Sequence, residues 1–201
     1  MILSYAVCVC NEHLELDHLL YFLEDVRDPV TTEIVVLVDS SKKNLLVESV
    51  LSKYPSVKRF DRDFDGDFSA HKNYLGSKCQ GKYIFNIDAD EIPQETLMNT
   101  VYDLSKQGEV SIVYVPRINI CPGHTEKFLK RWNFTVNEVG WINWPDYQGR
   151  MYKNGLQWTG KVHEKIQGGD SVGLKAETNN ALWHVKSVTR QNKQNIMYEK
   201  M

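Results

Sequence analysis

Two aspartates one residue apart, Asp88 and Asp90, have the side chains and the spacing to hold a cation. They follow the apolar run Tyr83 to Ile87 (YIFNI), so a strand leaving a buried sheet delivers both carboxylates to one crevice. Hard divalent ions such as Mg2+ or Mn2+ prefer carboxylate oxygens, and Mg2+ commonly takes one or two of them together with substrate phosphates. A departing diphosphate needs such an ion against its developing charge. The bare Asp-x-Asp is also what a solvated acidic turn at a helix start looks like, favoured by the helix dipole. Its place after a buried strand, with Glu91 and a helix opened by Pro93 next, sharpens the reading.

A second acidic stretch, Asp61-Arg62-Asp63-Phe64-Asp65-Gly66, copies the opening of an EF-hand calcium loop. That loop needs a bidentate Glu at its twelfth position, and counting from Asp61 that position is Lys72. The calcium reading fails, leaving an acidic loop that is either solvated or borders a ligand. His163-Glu164 lacks the second His four residues on that a zincin helix requires.

The elements that must position these residues follow from hydrophobic periodicity. Ser4 to Cys10 and Ile34 to Val38 are short apolar runs that read as strands buried on both faces, and Val57 to Phe60 is a shorter third. Leu16, Leu19, Leu20 and Leu23, then Leu46, Val47, Val50 and Leu51, recur at helical spacing. Ser69 is an expected N-cap of a helix running to about Cys79. Leu97, Val101 and Leu104 give a further inward helical face before a strand at Val110 to Val115. Alternating strand and helix imply an α/β fold with a mostly parallel central sheet and helices on both faces. Ligands of such sheets bind beyond the carboxyl ends of the strands, where Asp39 and the pair Asp88 and Asp90 stand. From Pro116 onward helical spacing is lost until a final helix near Val188 to Lys200, with short strands expected at 150–153 and 156–160. All five tryptophans lie in this second half, which reads as a smaller aromatic-rich lobe packed on the first. Sugar stacking would suit them, although most are expected to pack internally.

The 201 residues are 42% hydrophobic and 25% charged, with a formal net charge of -2, which offers no general affinity for polyanions. No apolar stretch reaches the ~18 residues of a membrane span, and the amino terminus lacks the basic leader of a signal peptide. Cys8, Cys10, Cys79 and Cys121 form no CxxC pair and are expected to be buried reduced thiols, which points to the cytoplasm. Neither GxxxxGK[ST] nor GxGxxG occurs.

The ordered series of Asn11-Glu12 after the first strand, IVVLVDSS, FSAHKN, YIFNIDADE, then RMYKN and KVHE resembles the family 2 glycosyltransferases of the GT-A fold. More narrowly it is similar to the small bacterial and phage branch related to lipopolysaccharide-core glucosyltransferases, along nearly the whole chain. The resemblance implies one GT-A-like domain over 1–201, with a nucleotide-sugar half at 1–115 and an acceptor half at 116–201. It implies a nucleotide-sugar donor of the UDP type carrying a hexose, with Mn2+ or Mg2+ as cofactor and inversion at the transferred carbon.

The residue roles are carried the same way. Asp39 would contact uracil or ribose, Asp88 the ribose, and Asp90 the metal. Lys72 and Asn73 would line the donor pocket, and Glu12 would lie close to it. His184 would complete the metal site or touch the diphosphate, unless it is a packed histidine. The general base would be Glu164, placed ahead of Asp146. Arg150 would bind phosphate or acceptor, or bridge to Asp146. The acceptor class (glycan, lipid-linked, protein or modified DNA) stays open. A homo-oligomer is expected if the short chain does not itself supply the whole acceptor region. The alternatives are a non-catalytic nucleotide-sugar or carbohydrate-binding module and a sugar-nucleotide pyrophosphorylase. The latter wants a Gly-rich, Arg-containing loop after the first strand, which Cys10-Asn11-Glu12-His13 does not provide.

Overall fold

The computed structural model describes residues 1–42 and 44–199. Three parallel strands form its rigid centre: β1 (Leu3–Val9), β2 (Thr32–Asp39) and β4 (Tyr83–Asp88), with β3 (Lys58–Arg62) outside β2. Val7 pairs with Val36 on one side and Ile87 on the other. Alternation then sorts the side chains. Tyr5, Val7, Val9, Val36, Phe85 and Ile87 meet Leu16, Leu20 and Leu23 of α1 (His13–Val26), and Leu97 and Val101 of α4 (Glu95–Gln107). Ala6, Val35, Leu37 and Ile84 face the other way, under Leu75 of α3 (Phe68–Gly76) and Trp158 of β8 (Gln157–Thr159). Both faces are covered, which is why these strands read as continuous apolar runs. A seven-residue helix, α2 (Leu45–Leu51), connects β2 to β3 and is capped by the Asn44 side chain.

The second half of the chain extends this sheet. β6 (Ile112–Ile120) pairs antiparallel with β7 (Ile142–Lys153), and β7 pairs antiparallel with β4. β11 (Leu182–Val185) runs parallel to β6, and the two-residue β5 (Glu91–Ile92) closes that edge. β10 (Ser171–Gly173) adds to β6, while β9 (Lys165–Gln167) forms a hairpin with β8. The α/β class and the mixed, mostly parallel central sheet are those expected. α5 (Glu126–Trp132) follows β6, and α6 (Val188–Tyr198) ends the described chain. Lys200, the expected end of that helix, lies outside the described residues.

Several local expectations are corrected. The N-cap of α3 is Asp67, whose Oδ1 accepts from the Ala70 amide at 2.9 Å; Ser69 donates its hydroxyl to the same oxygen. A carboxylate outcompetes a hydroxyl for exposed helix amides because its charge also meets the helix dipole. The region 150–153 is the end of one twelve-residue strand, hidden in the sequence because Pro145 and Gly149 read as breakers. Irregular pairing between β6 and β7 accommodates them. α5 went unforeseen: seven residues are too few for periodicity to speak.

Candidate active site

Parallel pairing brings the ends of β1, β2 and β4 to one rim, with Cys8 level with Asp88 and Val9 level with Val38. Asp39 lies there, its Oδ1 accepting from the amides of Ser41 (3.0 Å) and Phe64 (3.1 Å). Burial raises its pKa, but the bonds from Ser41 and Phe64 prevail, holding the carboxyl below its ordinary value. Asp39 lines a cavity of about 230 Å³ with Lys42, Asn44, Arg59 and Asp61. The EF-hand-like stretch is divided among other tasks. Asp61 pairs with Arg59, Asp63 accepts from Ser40, and Asp65 pairs with Arg62.

Asp88 and Asp90 both face basic side chains. Asp88 Oδ2 accepts from Arg150 at 2.8 Å, and Lys72 Nζ lies 3.9 Å from Oδ1. Burial pushes the Asp88 carboxyl up, but Arg150 and Lys72 hold it well below the carboxylate range. Asp90 Oδ2 faces Lys186 Nζ at 3.0 Å, His184 Nε2 at 3.5 Å and Arg190 Nη2 at 3.6 Å. Burial is again outweighed, here by His184 and Lys186, and the Asp90 carboxyl is held well down.

Lys72, buried on α3, continues from Asp88 to Glu164 Oε1 at 2.7 Å, with its ammonium 4.4 Å from the Trp158 ring centroid. Glu164 thus joins the acid pair, from 74 residues downstream by way of a turn in which Gly160 and His163 both take positive φ. For His163, at φ 54°, that conformation is unfavourable and is held in place by its surroundings. Asn73 sits beside Lys72, but both ends of its amide serve β8: Nδ2 donates to Trp158 O at 2.9 Å, and Oδ1 accepts from Trp158 N at 2.8 Å. Glu12 accepts from the amides of Cys10 and Asn11 and pairs with Arg190 at 3.2 Å.

Asp146, on β7, belongs to the same network. Its Oδ2 accepts from Arg117 Nη2 (2.7 Å), Arg117 Nε (3.0 Å) and Asn119 (2.8 Å), and its Oδ1 from Gln148 (2.8 Å). Burial raises this carboxyl, and Arg117 with Asn119 pulls it below its ordinary value. The Arg150–Asp146 bridge is not formed. Arg150 pairs with Asp88 and with Glu91, whose side chain has no exposed surface, while Arg117 takes Asp146.

Glu91 is the hub that sequence reading missed. It accepts from the Asp88 amide, Arg150 and Arg117, and so ties the acid pair to Asp146. Its position directly after the Asp-x-Asp, and a charged Arg117 in the mostly apolar run IVYVPRINI, were the available signals. Asn119, Lys186 and Arg190 gave none.

The same network orients His184. Asn119 Nδ2 donates to Asp146, which turns Asn119 Oδ1 toward His184 Nδ1 at 2.8 Å. An acceptor there places a proton on Nδ1, and Nε2 faces Asp90 Oδ2 at 3.5 Å, with Lys186 on the same oxygen. Nε2 and Oδ2 are the two atoms that could serve one ion at this end of the network. No cluster of three or more His, Cys, Asp or Glu able to hold a metal occurs among the described residues. A two-residue donor set is nonetheless what Mg2+ accepts when water and phosphate fill its other positions.

Cys79 and Cys121 are buried and Cys8 and Cys10 partly so, and all four are free. Burial pushes the Cys8 thiol, beneath the site, up to about 12. No helix among the described residues is long and apolar enough to cross a membrane.

Comparison with known proteins bears on the fold and the family. The chain is similar to TarS of S. aureus. It matches a complex of TarS residues 1–349 with UDP-GlcNAc at a TM-score of 0.60 and 12% identity, covering 92% of this chain and 59% of that one. For the complex with UDP the TM-score is 0.62 at 12% identity, covering 98% and 64%. At that identity the likeness speaks for the fold. A stretch of 125 residues is also 30% identical to the uricase of Oryctolagus cuniculus, covering 59% of this chain and 40% of that one. The chain therefore spans less than two thirds of these proteins, and the uricase match covers too little of either chain to assign a family. The decisive match is to the model of Glycosyl transferase family 2, which spans residues 4–167, from β1 through β9. With the rim acids, the parallel sheet and that span in agreement, the chain belongs to glycosyl transferase family 2.

Proposed function

We propose that the chain transfers a hexose from a UDP-sugar to an acceptor hydroxyl, with inversion, as a cytoplasmic enzyme of the lipopolysaccharide-core-like branch. The observation that carries this reading is the series Asp88, Lys72 and Glu164, joined by ion pairs at the rim where Asp39 also lies, with Asp90 two residues on from Asp88. The UDP and UDP-GlcNAc complexes of the similar TarS support the choice of donor. Residues 1–115 would bind the nucleotide sugar and 116–201 the acceptor, with a partner copy completing the acceptor side.

Asp39 would receive the nucleoside beside its cavity, and Asp88 the ribose. Asp90 and His184 would hold Mn2+ or Mg2+, which would supply electrostatic stabilisation of the departing diphosphate. Glu164 is favoured over Asp146 as base. Gln148 occupies one oxygen of Asp146, and Arg117 and Asn119 the other, whereas Glu164 is paired with Lys72 alone. Glu164 would take the acceptor proton as the acceptor oxygen bonds to the anomeric carbon. The bond from that carbon to the diphosphate oxygen breaks, and UDP leaves with the electron pair. Lys72 would position Glu164.

The test is UDP release from UDP-glucose and UDP-GlcNAc, with Mn2+ and then with chelator, in the parent, Glu164→Gln and Asp146→Asn. Metal-dependent release lost in Glu164→Gln and kept in Asp146→Asn is expected. The reverse moves the base to Asp146. Tight UDP-sugar binding without release under any condition makes the protein a binding module.

A further inference from the structure

α6 lies across the site, and nothing above gives it a task. Arg190 in its first turn reaches Glu15 Oε1 at 2.6 Å and Glu12 Oε1 at 3.2 Å. At its far end Tyr198 meets Phe68 of α3 and His163 of the Glu164 turn edge-on, with ring centroids 5.7 Å apart in each case. The helix therefore bridges from the β1–α1 turn to α3, over the crevice that holds Lys72 and Glu164.

The polar end of this strap is arranged around a single oxygen. Asp90 Oδ2 faces Lys186, His184 and Arg190, yet only Lys186, at 3.0 Å, is within hydrogen-bonding distance. Arg190, at 3.6 Å, lies beside that oxygen without hydrogen-bonding to it. Arg190 is 38% exposed and spreads its guanidinium over three carboxylates, so it has a second geometry available. Ser187 caps the eleven-residue α6, placing the positive end of the helix dipole at the same spot.

We propose that Lys186 and Arg190 are ligands of the donor diphosphate, held on Asp90 until a phosphate replaces it. Asp90 would be shared less with both side chains if it held a divalent ion, and phosphate oxygens are acceptors that Lys186 and Arg190 could then take. Arg and Lys bind phosphate well, and the long Lys186 and Arg190 side chains can turn without moving the helix. This inference rests on the glycosyl-transfer reading for the identity of the anion, but not for the existence of an anion site.

Calorimetric titration of the full chain with UDP, inorganic pyrophosphate and uridine at fixed Mn2+ tests it, together with titration of Mn2+ alone. For the Lys186→Gln/Arg190→Gln double variant, the Kd for UDP and pyrophosphate should rise roughly tenfold or more. Uridine binding should stay unchanged, and Mn2+ should bind more tightly because a competing internal cation is gone. Lys186→Arg/Arg190→Lys should restore much of the anion binding. If the double variant loses its circular-dichroism spectrum, the single Gln variants carry the same expectation at smaller size.

UDP binding equal in parent and variants overturns the strap and leaves the glycosyl-transfer reading standing. Mn2+ binding weakened in parallel with UDP overturns it too, since a structural role would do that. A parent that binds pyrophosphate through these residues but not UDP sustains the strap and sinks the UDP-sugar reading. A parent that binds neither overturns both.

Discussion

The two halves of the sheet are built on different physics. In β1, β2 and β4, apolar side chains dominate both faces, and apart from buried Glu33 near the start of β2 the acids stand where the strands end. In β5, β6, β7 and β11, a chain of polar groups crosses the sheet surface: Arg150, Glu91, Arg117, Asp146, Asn119 and His184. Packing makes the first half rigid and indifferent to charge. Each member of the second half is held by its neighbours, so removing one leaves another buried without a partner. A nucleotide-binding rim can rest on the first kind of structure. Setting the protonation and aim of several acids at once needs the second.

The sharpest way to break this contrast is at the junction of the halves. Asp90→Asn should lower turnover roughly a thousandfold or more while the protein still melts cooperatively, and unchanged metal-dependent turnover would falsify the assignment of Asp90. Next come two stability measurements by urea unfolding. Phe85→Ala, in the packed half, should cost about 3–5 kcal/mol through its cavity while the folded fraction keeps normal turnover. Glu91→Ala, in the polar half, should cost a similar ~3–5 kcal/mol by stranding Arg150 and Arg117, and should also depress turnover. Equal catalytic damage from both would erase the distinction. Asn73→Ala should cost about 1–3 kcal/mol by freeing the Trp158 backbone, and raise the KM for the sugar nucleotide as Lys72 and its ring platform loosen.

The pH dependence should separate the halves by window. Asp88, Asp90 and Asp146 all have folded pKa values below their ordinary ones, so their contribution to stability is complete above about pH 4 and fades below it. Buried His71, on α3, is lowered by burial and by Arg62, whose Nη1 donates to its Nδ1 at 3.1 Å. Its folded form is the neutral one, so stability should begin to fall as pH drops through about 6.5, where the unfolded chain takes the proton. Melting curves from pH 8 to 3 should show both slopes, and His71→Gln should remove only the upper one. The smallest effect is expected at the exposed Lys53–Asp17 pair, where a double-mutant cycle should give less than about 1 kcal/mol.

Legibility followed the same divide. The first half could be read almost element by element, because buried parallel strands and amphipathic helices write their periods directly into residues 3–107. Asp39, Asp88 and Asp90 were found for that reason: a polar residue at the end of an apolar run stands out. Glu91 and Arg117 did not stand out, although Glu91 follows directly on a readable strand and its two acids. Their meaning comes from each other, and one is 26 residues from its partner. The Arg150–Asp146 bridge expected from closeness in sequence gave way to partners 59 and 62 residues distant, because β7 lies between β4 and β6 and faces both.

By itself the sequence determined the class of fold, the rim and the acids on it, since hydrophobic period and strand endings are local properties. Only the tertiary structure decided which cation neutralises which acid, which nitrogen of His184 carries its proton, and that α6 closes over the crevice. Those are consequences of pairing between distant segments, and an ion pair leaves no periodic trace in a chain.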